Sequence, residues 1–334
     1  MRRCTFLPLL LAVILPPASV ASSPWQEIAP PPVASAGFAR GARITGPIVA
    51  GGNRWNKDSK LTLDETWSYH PADRAWHATA RLPRPFALGV HGMVGDMLYL
   101  AGGDDGTSTR DEVITVDQNG VGSLLARLPH PVAYAGGTIL QGRLYLLGGS
   151  ADASKPLAMH DRFLRVDLNN GGVETLAPFP DGPIIHAAVV AGKESIYVFT
   201  GGQVERNTAR IVNSARAWRF HPANGQWTRL PDYPLPVRGL AAIVLEDHRI
   251  LLAGGYRAPK SGEDPPTFTD ASFVFDPVSQ TYRPAPPLPY AAMFVGLISH
   301  EKWVYAFGGE SAPRERATRA SRAAYEELVR IPAP

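Results

Sequence analysis

The stretch KWVYAFGGESAPRERAT, Lys302 to Thr318, carries the fold in its first half and the chemistry in its second. An apolar run ends in Gly308-Gly309, a glutamate follows at once (Glu310), and an arginine stands six residues further on (Arg316). The apolar run closed by two glycines occurs five more times. It reads PIVAGG (Gly51, Gly52), LYLAGG (Gly102, Gly103), LYLLGG (Gly148, Gly149), YVFTGG (Gly201, Gly202) and LLAGG (Gly254, Gly255). The steps are about fifty residues, a period at which each unit buries its apolar faces only by stacking on its neighbours. Tyr99, Tyr145 and Tyr305 precede their glycine pairs by three residues, and Tyr197 precedes its pair by four.

Each pair is followed by a polar loop and then a short strand such as TWSYH, FLRVD, AWRFH or SFVFD. A turn comes next, at His70-Pro71, His221-Pro222 or Asp276-Pro277, where proline presets φ. An outer strand marked by Trp76, Trp227 or Tyr282 leads through a Leu-Pro turn into a small apolar strand such as ALGVHGMVG. Four short strands per unit, six times over, predict an all-β, six-bladed propeller of antiparallel blades. The chain ends after the third strand of its last unit, near Tyr325 to Val329, so the segment Trp25 to Ile28 is expected to supply the missing fourth strand. That closure leaves no free sheet edge. The glycine pairs read as backbone devices, and Trp25, Trp76 and Trp227 as blade packing.

The first 25 residues, MRRCTFLPLLLAVILPPASVASSPW, pair a basic start (Arg2, Arg3) with the apolar run Phe6 to Leu15 and a small-residue cleavage motif, Ser19-Val20-Ala21. Residues 1–21 are expected to be a cleaved signal peptide and 22–334 one propeller domain. The apolar run is too short to span a bilayer, so export to the periplasm without a membrane anchor is expected. Cys4, the only cysteine, precedes that run and would leave with it. The net charge of +3 and pI near 9.0 come from scattered residues with no basic stripe for nucleic acid.

Up-and-down order brings the loop after every glycine pair to one mouth of the central channel. Asn53, Arg54, Asp104, Asp105, Ser150, Gln203, Tyr256, Arg257 and Glu310 should converge there, with His91, Tyr134, His186, Arg238 and Met293 lining the channel beside them. Asn53, Arg54, Asp104, Asp105, Gln203, Tyr256 and Arg238 are the substrate-binding candidates. Such a set suits a polar ligand with several hydroxyls and a carboxylate. The other reading is a wet channel whose charges pair with one another.

The repeats resemble kelch propellers over nearly the whole expected mature chain. More narrowly, RLPRPFALGVHGMVGDMLYLAGGDDG and LPHPVAYAGGTILQGRLYLLGG (Arg81–Gly106, Leu128–Gly149) are similar to blades of the cyclically permuted mutarotases, relatives of the bacterial N-acetylneuraminate (sialic acid) mutarotase. That family carries Gly-Glu, a Pro, and an Arg six residues after the Glu. Gly309-Glu310, Pro313 and Arg316 match this in type and spacing, and they stand in the sixth unit as in the permuted branch. The fourth unit, TGGQVERNTAR, has Gln203 in place of the glutamate, with Glu205 and Arg210 nearby. Ala317 separates Arg316 from Thr318, and the first-blade loop NRWNKDSKLTLDE departs from the family pattern. The resemblance implies Glu310 and Arg316 as the catalytic pair, a small acidic sugar as ligand, and no cofactor or metal.

Two other classes compete. A propeller that binds carbohydrate or protein without catalysis is common for this architecture. A copper-radical oxidase of the galactose oxidase type needs a cysteine that the expected mature chain lacks. No GxSxG, metal-spaced histidine pair or distinct carboxylate pair points to a hydrolase. His91 and His186 stand singly and read as hydrogen-bonded channel residues. The sequence does not fix the oligomeric state.

Overall fold

A computed structural model describes residues 23–205, 208–258 and 267–329. The expected signal peptide, with Cys4 and its cleavage motif, lies outside the described residues, as does the 259–266 part of the fifth-blade loop. Six antiparallel four-stranded sheets form a six-bladed β-propeller. The first blade runs Ala39–Arg43, Gly46–Ala50, Thr66–His70 and Ala75–Ala78 from channel to rim. The second runs Val90–Val94, Met97–Ala101, Glu112–Val116 and Gly122–Arg127; the third Gly136–Leu140, Arg143–Leu147, Phe163–Asp167 and Val173–Leu176. The fourth is Ala188–Ala191, Ile196–Val204, Ile211–His221 and Gln226–Leu230, and the fifth Ala241–Val244, Ile250–Ala253, Ser272–Asp276 and Thr281–Ala285. The sixth takes Gly296–His300, Trp303–Phe307 and Ala320–Ala324 from the end of the chain and Gln26–Glu27 from its beginning.

The closure expected from the ends is therefore present, through the pairs Gln26 with Arg322 and Glu27 with Ser321. Tyr325–Val329 is a short helix beyond the third strand. Second strands lie between two neighbouring blades and are buried on both faces, which is why they read as unbroken apolar runs; Leu144 to Leu147 are all buried. The core comprises six apolar clusters, one at each blade-to-blade interface. The cluster joining the last blade to the first contains Phe38, Val49, Tyr69, Tyr305 and Phe307. Trp76 packs edge-on against Phe307 and donates its indole N–H to the Ala29 carbonyl at 2.7 Å. Trp227 packs on Phe163 and Phe220, and Trp25 is buried between the fifth and sixth blades.

In five blades the first glycine of the pair sits at φ between +61° and +73°. The fourth blade differs: Thr200, at φ +56°, takes that place and Gly201 takes the second. The backbone agrees, since Gly201 donates to Val237 of the next blade as Gly149 donates to Ile184. The repeat is thus shifted by one residue relative to its glycines, and the four-residue offset of Tyr197 is the trace of this shift.

Gly148 and Gly142 separate backbone strain from close approach. Both are left-handed, at +67° and +70°; a Cβ on Gly148 would stand 2.2 Å from the Ile184 carbonyl oxygen, whereas one on Gly142 meets nothing within 4 Å. Gly142→Ala is expected to cost about 1–2 kcal/mol of left-handed strain. Gly148→Ala should cost that plus about 1–3 kcal/mol of overpacking. Equal losses in urea unfolding would contradict the close approach.

Candidate functional site

The six-residue spacing of Glu310 and Arg316 is the spacing of a hairpin. Glu310–Ala312 pairs with Glu315–Arg316, Glu310 lies directly opposite Arg316, and Arg314 turns the chain at φ +66°. Glu310 also exchanges both backbone hydrogen bonds with Met293, at 2.8 and 2.9 Å, so its Cα is held from two sides. Arg316 Nη1 lies 2.9 Å from Glu310 Oε2, with the arginine side chain 6% and the glutamate 18% exposed. Arg316 Nε and Nη2 donate to the carbonyl and side-chain oxygens of Asn53, at 3.1 and 2.6 Å. The edge that would hold a carboxylate in two parallel bonds is therefore filled by Asn53. Arg316 is a fixed partner of Glu310, and its guanidinium is committed to protein groups.

Two other cations stand at the mouth. Arg238 lies 4.3 Å over the Tyr256 ring and donates to Asn213 Oδ1 at 3.1 Å. Asn213 in turn donates to the Tyr256 carbonyl at 2.6 Å. Lys60, on the returning strand of the hairpin Asn53–Asn56 and Ser59–Thr62, lies in the field of Asp104, Arg316 and Glu310. It is open to solvent yet surrounded by protein, as a side chain over a concave mouth must be, and its pKa is lowered by that burial. Among the described residues neither Lys60 nor Arg238 has a carboxylate within 4.0 Å. Burial raises the Glu310 pKa, while Arg316 and Lys60 oppose the rise. Interleaved cations of this kind disfavour a metal ion at the mouth.

Next to the mouth stands a collar made of one left-handed residue from each blade: Gly37, Leu88, Tyr134, His186, Gly239 and Phe294, at φ between +55° and +66°. At five of the six junctions the N–H of each collar residue donates to the carbonyl of the one before it, at 2.8–3.0 Å. His186 packs edge-to-face on both Tyr134 and Phe294, with centroids 4.8 and 4.9 Å apart. Burial, Arg238 and Lys60 push its pKa down to about 3, so it is neutral. A cavity of about 130 Å³ is lined by collar and inner-strand residues, among them Arg40 and His91, and by none of the residues that follow the glycine pairs. Arg40 donates to the Leu297 carbonyl at 3.3 Å and faces His91 Nε2 at 3.4 Å.

Glu310, Arg316, Asn53, Arg238 and Tyr256 are brought together as the sequence predicts, and Asp104 joins them through Lys60. Three expected contributors are not. Arg54 is exposed on its hairpin. Asp105 turns into its own loop, pairing with Arg110 and accepting from Thr107 and Ser108, which holds its pKa down to about 2. Gln203 stands one residue past the mouth position, which Gly202 occupies because of the fourth-blade shift, and it donates to the Asp181 carbonyl at 2.8 Å. Of the expected channel residues only His91 lies on an inner strand; Tyr134 and His186 form the collar, and Arg238 and Met293 the mouth. Lys60 and Asn213 were not anticipated. Lys60 was hidden because NRWNKDSKLTLDE reads as a polar loop, although its register sets Lys60 opposite Trp55.

No family model matches the chain. It is 28% identical over 288 residues to Kelch-like protein terF of Aspergillus terreus, across 79% of this chain and 56% of that protein. Kelch-like protein 40a of Danio rerio is 28% identical across 40% of this chain and 21% of its own length. Beta-scruin of Limulus polyphemus is 25% identical across 54% and 19%. The chain thus spans 56% of the first relative and about a fifth of the other two. Among solved structures, that of YjhT matches with a TM-score of 0.70 over 88% of this chain and 95% of its own, at 14% identity, a likeness of fold. Two of these relatives are kelch-like proteins by name, and the solved structure shares the fold.

Because the Glu310 pKa is raised, its contribution to stability is full below 4.5, the ordinary value, and is lost as pH rises through its folded pKa. Arg316 opposes the rise, so Arg316→Met is expected to move the Glu310 pKa further up in a carboxyl-carbon NMR titration. An unchanged or lower value would contradict the electrostatic coupling.

Proposed function

We propose that the mouth of the ring is the active site of a periplasmic sugar mutarotase that interconverts the anomers of N-acetylneuraminate or a similar acidic sugar. The observation that carries this reading is Glu310, a half-buried carboxylate with a raised pKa, held opposite Arg316 and flanked by two cations without carboxylate partners. Oε2 of Glu310 is engaged by Arg316, and the Arg314 backbone also bonds the carboxylate, so both hold it in place. In the proposed reaction Glu310 takes the anomeric hydroxyl proton as the bond between anomeric carbon and ring oxygen breaks. The ring oxygen takes a proton from water, and the anomeric carbon becomes a carbonyl. Reclosure on the other face returns both protons. A carboxylate whose pKa is moved toward neutrality suits a proton that must be taken and returned. Arg316 stays charged throughout and stabilises the ionised form of Glu310. Lys60 and Arg238 receive the sugar carboxylate.

A second reading is a binding platform without turnover, which the kelch-like relatives favour. Proton NMR of anomer equilibration, started from a fresh anomer of N-acetylneuraminate, separates the two. The wild-type protein should accelerate equilibration, and Glu310→Gln should lose about a hundredfold of that acceleration while still binding the sugar. A Glu310→Gln rate equal to wild type, or no acceleration by wild type, sinks the proposal and leaves the platform. Since the ionised carboxylate is the base, the rate should climb with pH through the Glu310 pKa. Lys60 lowers that pKa, so Lys60→Met should carry the climb to higher pH; a shift to lower pH contradicts its assigned place.

A further inference from the structure

The turn at the outer edge of the first blade, on the face opposite the mouth, gathers side chains the proposed reaction does not use. In HPADRAWH, His70 ends the third strand, Asp73 lies in the turn and His77 lies in the fourth strand. No helical or i,i+4 pattern links the two histidines, which is why the sequence shows no metal-spaced pair. The hairpin register joins them instead. His70 pairs with Ala75 and Ser68 with His77, so both imidazoles stand diagonally on one side of the ladder. Their rings stack at 4.3 Å with an interplanar angle of 28°. Asp73 Oδ2 lies 2.7 Å from His77 Nε2, and Asp73 Oδ1 accepts from the Ala75 N–H at 3.1 Å, which orients the carboxylate from behind. One ligand atom from each of the three lies within 4.8 Å of the others, the only such group among the described residues.

We propose that His70, Asp73 and His77 bind a first-row divalent cation of borderline softness, Zn²⁺ or Cu²⁺, with water completing its coordination. Two imidazoles and a carboxylate form an N₂O donor set suited to these ions. Bonds of about 2.0–2.1 Å place tetrahedral ligand atoms about 3.3 Å apart. The group closes to that spacing by side-chain rotation, for which the His77 and Asp73 side chains, 44% and 51% exposed, have room. The ion takes the place of the proton between His77 Nε2 and Asp73 Oδ2. That proton moves to Nδ1 of a neutral imidazole, or leaves for solvent from an imidazolium. The neighbouring Trp76 holds the Ala29 carbonyl of the N-terminal segment, so the ion fastens the hairpin against which the ring closes.

Calorimetric titration of the full chain with Zn²⁺, repeated in a Cys4→Ser background, tests this. One equivalent should bind and raise the Tm, and His70→Ala or His77→Ala should weaken binding at least about tenfold. His221→Ala, on the fourth blade across the ring, should leave it unchanged. Should the alanine variants fail to fold, the Cu²⁺ paramagnetic resonance spectrum of the wild-type chain decides, with hyperfine coupling to two imidazole nitrogens expected. Zn²⁺ affinity unaltered in both folded variants, or a Cu²⁺ spectrum without imidazole coupling, overturns the site.

Discussion

The constraint on which the ring depends is the collar of left-handed residues at the head of the inner strands. A left-handed residue with a side chain costs about 1–2 kcal/mol, and Leu88, Tyr134, His186 and Phe294 all carry one. The conformation persists because five of the six collar N–H groups find the carbonyl of the preceding blade, and a backbone donor buried in the channel must find a partner. The collar therefore links neighbouring blades by hydrogen bonds as well as by the apolar clusters between them. Gly37 and Gly239 serve the same geometry without side chains. The space above Gly37 is taken by Leu88 and that above Gly239 by Met293 and Phe294.

The inner cavity is lined by the collar residues together with Arg40 and His91, and by none of the residues that follow the glycine pairs. At the mouth each of these residues is bolted to the segment leading into an inner strand, as Asn53 is to Ala36, Asp104 to Ala87 and Glu310 to Met293. A ligand there meets side chains mounted on rigid, doubly held backbone, which is the footing that positioned chemistry requires. The Glu310–Arg316 pair alone is ambiguous, because two buried charges that satisfy each other are also a structural element. What separates a site from a sealed wet channel is the company of that pair. Lys60 and Arg238 bring positive charge to the same opening without spending it on a carboxylate.

Blade number, strand order and ring closure were legible in the sequence because glycine pairs and apolar runs repeat in phase, and phase survives side-chain variation. Glu310 and Arg316 were legible through the resemblance to mutarotase blades, and the hairpin that explains their spacing appears only in the structure. Where reading failed, the cause was register. Gln203 was expected at the mouth because the glycines were taken as the ruler, whereas the backbone conformation is the ruler and Thr200 adopts it in the fourth blade. Asp105 was expected beside Asp104, yet adjacent residues of an extended chain point opposite ways and its carboxylate is taken by its own loop. Lys60, Asn213 and the His70–His77 pair depend on cross-strand register, which local sequence does not fix.

The proposed function puts an acidic sugar at the mouth, where Lys60 and Arg238 stand beside Glu310. The most direct test is a crystal structure of the protein grown with N-acetylneuraminate. The account predicts the sugar at the mouth, its carboxylate on Lys60 and Arg238 and its anomeric hydroxyl facing the Glu310 carboxylate. A sugar bound on the blade sides, or in the cavity below the collar with the mouth bare, contradicts it.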